Sequence, residues 1–93
     1  MLEVRFDLGE ERHVQLEVSS KAGGQFNIRE AQFELIDIKG DIEEQGDCIV
    51  EEHIMDAYIH PLKAENYILK YTYLIGDEKW VDPVKVVCRD ASA

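Results

Sequence analysis

Apolar and polar residues alternate with a period of two through one segment after another, and that period is the repeat of a strand with one buried face. Leu2, Val4, Phe6 and Leu8 alternate with Glu3, Arg5 and Asp7; Val14, Leu16 and Val18 with Gln15, Glu17 and Ser19; Ala31, Phe33 and Leu35 with Gln32 and Glu34. Met55, Ala57 and Ile59 then alternate with Asp56, Tyr58 and His60 until Pro61, which has no N–H to continue a ladder. The run from Tyr67 to Ile75 is dense in aromatic and branched residues and leads into Gly76-Asp77-Glu78. Its hairpin partner is expected in Trp80-Val81 and Val84 to Cys88, with Pro83 at a bulge or on an edge. No segment carries the 3.6-residue period of a helix.

Turn residues separate these runs at Gly9-Glu10-Glu11, Ser20 to Gly24 and Lys39-Gly40-Asp41. Between Asp41 and Glu52 the alternation weakens, and a turn at Gln45-Gly46-Asp47 is expected to divide two short edge pieces, around Ile42 and around Cys48 to Val50. Short strands with turn signals about every eight to twelve residues predict an all-β fold, an immunoglobulin-like antiparallel β-sandwich of about seven strands. The 93 residues, 45% of them hydrophobic, suffice for one modest core that hides roughly 65% of the unfolded surface. A single sandwich domain is expected over residues 1–90, with 91–93 a frayed tail.

Tyr67 opens a strand directly after the turn Leu62-Lys63-Ala64-Glu65-Asn66. That placement suits a tyrosine corner, in which the phenol turns back onto the backbone of the preceding loop, with Leu62 as the apolar start of the corner. The alternative is an ordinary core tyrosine with a solvated hydroxyl. Tyr67, Tyr71 and Tyr73 share strand parity with Leu69 and are expected in the core, an aromatic sugar platform being the rival. Ile68, Thr72 and Leu74 then fall on the opposite face, as do Ile54 and Tyr58. Either loops cover that surplus or one face is a subunit interface.

The charge is uneven. Asp and Glu number 20 against 10 Lys and Arg, a net −10, yet seven of the acids lie between Asp41 and Asp56 with no Lys or Arg among them. The remaining chain is close to neutral. An acidic chain repels phosphate backbones and anionic leaflets, so neither nucleic acid nor a membrane is an expected partner. The acidic window reads either as a solvated edge that keeps the sheet from pairing with its neighbours, or as a docking surface for a basic partner. Its candidate interaction residues are Glu43, Glu44, Asp47, Glu51 and Glu52, together with Tyr58. The window also overlays part of an EF-hand loop through Asp41, Gly46 and Glu52, but Glu43 and Gln45 replace the Asp or Asn of that motif and strands flank it where helices are needed.

Nothing else in the chain suggests chemistry. His13, His53 and His60 sit at outward strand positions without the spacing of a local metal pair. Ser19, Ser20 and Ser92 lie at a turn and a tail, and Gly23-Gly24 opens no helix that could take a phosphate. Cys48 and Cys88 lack a Cys-x-x-Cys spacing and read as two small buried thiols in a reducing compartment, with a disulfide as the alternative. No catalytic residue, metal ligand or cofactor is therefore expected. The N-terminus alternates charged residues where a signal peptide is apolar, and no apolar run approaches the eighteen or so residues of a spanning helix, so a cytoplasmic origin is expected.

Taken in order, several features resemble the small immunoglobulin-like proteins encoded in bacteriophage and prophage structural gene clusters. They are the Gly9-Glu10 turn, Val14-x-Leu16-x-Val18, Gly24-x-Phe26-x-Ile28 and Ala31-x-Phe33-x-Leu35, followed by Leu62-x-Ala64, Tyr67-x-Leu69-x-Tyr71-x-Tyr73 and Ile75-Gly76-Asp77-Glu78. The resemblance implies a non-enzymatic virion component or assembly factor of a head, neck or tail. Its partners would be other protein subunits, copies of itself in a homo-oligomer or virion proteins. Two rival expectations come from the residues. The acidic window suggests a mimic that blocks a basic nucleic-acid-binding partner, and Tyr58, Trp80 and the acidic loop suggest a carbohydrate- or calcium-binding adhesin-type module.

Overall fold

The computed structural model describes residues 1–19 and 26–91. The turn expected at Ser20 to Gly24 and the last two residues of the expected tail lie outside the described residues. Eight strands follow one another: β1 (Leu2–Asp7), β2 (Arg12–Glu17), β3 (Ile28–Ile36), β4 (Ile42–Asp47), β5 (Ile49–Glu51), β6 (Ile54–Ile59), β7 (Asn66–Ile75) and β8 (Glu78–Arg89). They form a five-stranded sheet in the order β1-β8-β7-β3-β4 and a three-stranded sheet in the order β2-β6-β5. The protein is an all-β, immunoglobulin-like sandwich, with eight strands where about seven were expected. One pair departs from the antiparallel pattern: β1 runs parallel to β8, from Leu2 opposite Val84 to Asp7 opposite Arg89. The first strand thus leaves its sequence neighbour β2 to the other sheet and closes the five-stranded sheet against the last strand.

The alternation seen in the sequence is the alternation of burial. Met55, Ala57, Leu69, Tyr71, Tyr73, Leu35, Val86 and Cys88 are fully buried between the sheets. Hiding a large apolar side chain in this way stabilises by about 1.5–3 kcal/mol. Tyr71 also ties the layers together, since its hydroxyl donates to the Val14 carbonyl of β2 at 2.6 Å. The Tyr73 hydroxyl donates to Asp82 on the neighbouring strand. The β7–β8 hairpin turns on Gly76 and Asp77, with Gly76 at φ 62°, a conformation that costs glycine nothing and suits a two-residue hairpin loop.

One expectation needs correcting. Gln45, Gly46 and Asp47 do not turn; they continue β4, opposite Glu34, Phe33 and Gln32. Glycine is there for space, because a Cβ at Gly46 would lie 3.2 Å from the Phe33 ring. A glycine inside a strand often marks such a close approach. The break falls instead at Cys48, whose N–H bonds to the Ala31 carbonyl as the chain crosses to β5 in the other sheet. Of the two positions expected for Pro83, a bulge or an edge, the structure takes the edge: β8 is a single strand through Pro83, in unbroken register with β7. Pro83 stands one residue before β1 begins to pair, where the far side of β8 is still an edge and a missing N–H is tolerated. Both cysteines are free, Cys88 in the core and Cys48 half-buried.

Candidate functional site

The acidic window divides into two groups with different environments. Glu43 and Glu44, expected on an interaction surface, turn instead toward the connection between β6 and β7. One Glu43 oxygen accepts the Tyr67 hydroxyl at 3.0 Å and the other accepts the Leu62 N–H at 3.1 Å, while Glu44 accepts the His60 N–H at 3.0 Å. The Tyr67 hydroxyl in turn accepts the Lys63 N–H at 3.0 Å. Beside them the Lys63 ammonium lies 2.8 Å from Asp37, 3.5 Å from Glu43 and 3.9 Å from Glu65. Asp37 also accepts the N–H groups of Lys39 and Asp41, and Glu65 accepts that of Ile38. Loop N–H groups have no ladder partner and must be satisfied otherwise. Here carboxylates satisfy them and lock the β3–β4 turn to the β6–β7 connection. Leu62 contributes its N–H, while its side chain is 62% exposed.

Titration follows from this arrangement. The hydrogen bond from Lys63 holds the Asp37 carboxyl below its ordinary value, and the same contact raises Lys63. Burial, and then the hydrogen bond to Glu43, push the Tyr67 phenol up to about 12.

The second group faces outward on the three-stranded sheet. Register sets its rows: His13 opposite Tyr58; Gln15, Asp56 and Ile49 across the sheet; Glu17, Ile54 and Glu51 across it next. Ile49 and Tyr58 are exposed at 69% and 48%. Hydrogen bonds organise the polar members. His13 Nδ1 lies 2.9 Å from Asp56, Gln15 donates to the other Asp56 oxygen at 3.3 Å, and His60 Nδ1 lies 3.0 Å from Glu11. The Tyr58 hydroxyl donates to Glu11 at 3.3 Å, and its ring stacks on His13 with centroids 4.7 Å apart. Among the described residues, the outward positions of β2, β6 and β5 hold no Lys or Arg. Arg12, on β2, turns the other way and lies over the Phe6 ring at 4.1 Å.

The outward side of the five-stranded sheet differs. Its rows contain Arg29, Lys70, Lys79, Lys85, Arg5 and Arg89 against Glu3, Asp7, Glu34 and Asp47. An apolar row, Ile42-Ile36-Ile68, ends at Lys85. Beside the β3 bulge, where Glu30 takes φ 51°, a groove of about 680 Å³ is lined in part by Gln32, Asp47, Cys48, Thr72 and Lys79. Burial and then the charges of Asp56 and Asp47 push the Cys48 thiol up to about 11, so it is held protonated and is a poor nucleophile.

The remaining candidates are placed as follows. Asp47 ends β4, and Glu51 and Glu52 are exposed, Glu52 in the β5–β6 turn at φ 52°. His53 lies in that turn and not on a strand, stacked on Phe26 with centroids 4.0 Å apart. The segment that overlays an EF-hand loop is β4 and β5, and among the described residues no group of three His, Cys, Asp or Glu is placed to hold a metal ion. The acids of the window form no single row that could track a phosphate repeat. Sequence reasoning missed the pairing of His13 with Asp56 and of His60 with Glu11, because each joins residues from different strands and no local spacing announces it.

Two sheets with these orders, and outer faces of unlike composition, define a β-sandwich protein whose polar chemistry lies on its faces. No protein-family model matches the chain, and no curated protein matches it in sequence. Among solved structures the fold is similar to the crystal structure of CopC from Methylosinus trichosporium OB3b, with a TM-score of 0.72 and 13% identity, over 98% of this chain and 87% of that one. At that identity the likeness is one of fold. The virion role expected from the resemblance is withdrawn, since the solved structure reported as similar in fold is a CopC and not a phage structural protein.

Proposed function

We propose that this chain is a binding module that docks a protein partner on the outer face of the three-stranded sheet, and that the partner presents lysines and arginines there. The observation that carries the reading is the composition of that face. Glu17, Glu51 and Asp56 surround Ile49, Ile54 and Tyr58, and among the described residues the outward strand positions beside them hold no Lys or Arg, only His13 against Asp56. An apolar centre with an exposed aromatic, rimmed by charge of one sign, suits recognition of a surface of the opposite sign, which gains orientation and association rate from the field. The role proposed is binding: the Cys48 thiol is held protonated, and the grooves lined by described residues are open.

Size sets the strength. Three strands about 4.8 Å apart and six residues at about 3.3 Å each make a face of about 14 by 20 Å, well short of the roughly 800 Å² per partner of a standard interface. Binding belongs to the weak, transient class and weakens with salt. The test is a titration of isotopically labelled protein with an alternating Lys-Arg decapeptide, read by amide chemical shifts. Shifts concentrated on His13, Glu17, Glu51, Ile54 and Tyr58, and abolished in the Glu17→Lys/Glu51→Lys variant, support the reading. Shifts spread equally over Asp41, Asp77 and Asp90 would sink it.

A further inference from the structure

The two outer faces of this one chain are complementary, and we infer that the partner of the three-stranded face is the five-stranded face of a second copy. The inference rests on the docking role proposed above and names its occupant. On one side stand Glu17, Glu51 and Asp56 around Ile49, Ile54 and Tyr58. On the other, Arg29, Lys70, Lys79, Lys85, Arg5 and Arg89 outnumber Glu3, Asp7, Glu34 and Asp47 and lie beside the row Ile42-Ile36-Ile68. Several of these cations already have acidic neighbours, Lys70 with Glu34 at 2.9 Å and Lys85 with Glu3 at 3.9 Å. Lys79 and Arg29 flank Leu74 at the far end of the face, where, among the described residues, Arg29 donates to the Gly76 carbonyl. Excess positive charge with apolar residues on one face and excess negative charge with apolar residues on the other make a head-to-tail pair.

The geometry has a consequence for assembly. The faces lie on opposite sides of a single sandwich, so a contact between unlike faces leaves one free face at each end of the pair. Contacts of this heterologous kind do not stop at a dimer; they continue into open stacks or close into rings. A symmetric dimer, in which like face meets like, would bring Glu17, Glu51 and Asp56 against their own copies, which charge repulsion opposes.

Two charge-reversed variants test this. Glu17→Lys/Glu51→Lys makes both faces cationic, and Lys79→Glu/Lys85→Glu makes both anionic; circular dichroism and thermal melting establish that each folds, and Lys70→Glu/Lys79→Glu replaces the second if that variant does not. Sedimentation velocity from about 10 µM to 1 mM at low salt is expected to show wild-type protein growing continuously with concentration and falling back toward monomer at about 0.5 M NaCl, where screening is short-ranged. Each variant alone is expected to associate at least tenfold more weakly, and an equimolar mixture to regain association because each now offers what the other lacks. A wild-type monomer throughout, a dimer that does not grow, or a mixture no different from its components would each overturn the inference. In those cases the decapeptide titration separates the two ideas. Shifts confined to the three-stranded face leave the docking role standing without self-recognition, and their absence removes both.

Discussion

Glu43 and Glu51 belong to the same acidic run and have opposite fates. Glu43 is spent inside the molecule, on the Tyr67 hydroxyl, the Leu62 N–H and the Lys63 ammonium. Glu51 stands exposed on β5, opposite Ile54, with its charge directed to solvent. In composition the two are alike. What separates them is the element beside each one: β4 passes beside the β6–β7 connection, whose Leu62 and His60 N–H groups reach its carboxylates, while Glu51 points to solvent from the edge of the three-stranded sheet. A high density of acid in a sequence therefore says nothing about how much acid reaches the surface until loop satisfaction is counted.

The comparison can be broken by substitution. Glu43→Ala removes the acceptor of the part-buried Tyr67 hydroxyl and of the Leu62 N–H and is expected to destabilise by about 1–3 kcal/mol, a fall of several degrees in melting temperature for a domain of this size. Glu51→Ala is expected to stay within about 0.5 kcal/mol of wild type. Equal losses in thermal unfolding would mean that the corner is not held by Glu43. Tyr67→Phe is the next largest, about 1 kcal/mol for the hydrogen bonds of its hydroxyl. It should cost little further in a Glu43→Ala background, because the two act on one network.

Titration sharpens the same contrast. The Tyr67 phenol rises from 10.0 to about 12 on folding, so its protonated form is favoured in the native state. That stability is fully present below pH 10 and is lost as pH rises from 10 toward 12. Alkaline unfolding followed by tyrosinate absorbance should begin at higher pH in Tyr67→Phe if Tyr67 limits it. Asp37 works at the other end. Its carboxyl is lowered from 3.8, so its contribution is complete above that value and disappears as pH falls below it. Asp37→Asn should flatten the acid limb of the stability curve. The smallest expected effect on stability is that of Tyr58→Ala, since the ring is half exposed. Its loss should appear in the decapeptide titration and not in the melt.

Much of the fold is legible in the chain. Period-two alternation placed the inward residues of β6 and β7 correctly, because each strand is buried on one face and a slip of one residue would expose the whole apolar set. The stretch between Asp41 and Glu52 was misread for a definite reason: β4 and β5 are edge strands with few buried residues, so the period fades, and Gly46 looks like a turn when its function is to admit the Phe33 ring. The docking face was visible only in part. Tyr58 and Glu51 could be singled out from composition, while Asp47 falls on the other sheet, and the rows joining Glu17, Ile54 and Glu51 depend on the pairing of β2 and β5 with β6.

By itself, the sequence determined a sandwich of short strands, which residues of the clearly alternating strands such as β6 and β7 face inward, and that its acids are concentrated in one run. These follow from local alternation, a property of neighbouring residues. Tertiary structure alone decided that β1 closes on β8 in parallel, that Glu43 and Glu44 are turned inward while Glu51 and Asp56 face out, and that the two sheets carry outer faces of opposite charge balance. Each of these depends on which distant segments become neighbours, and no local pattern encodes that choice.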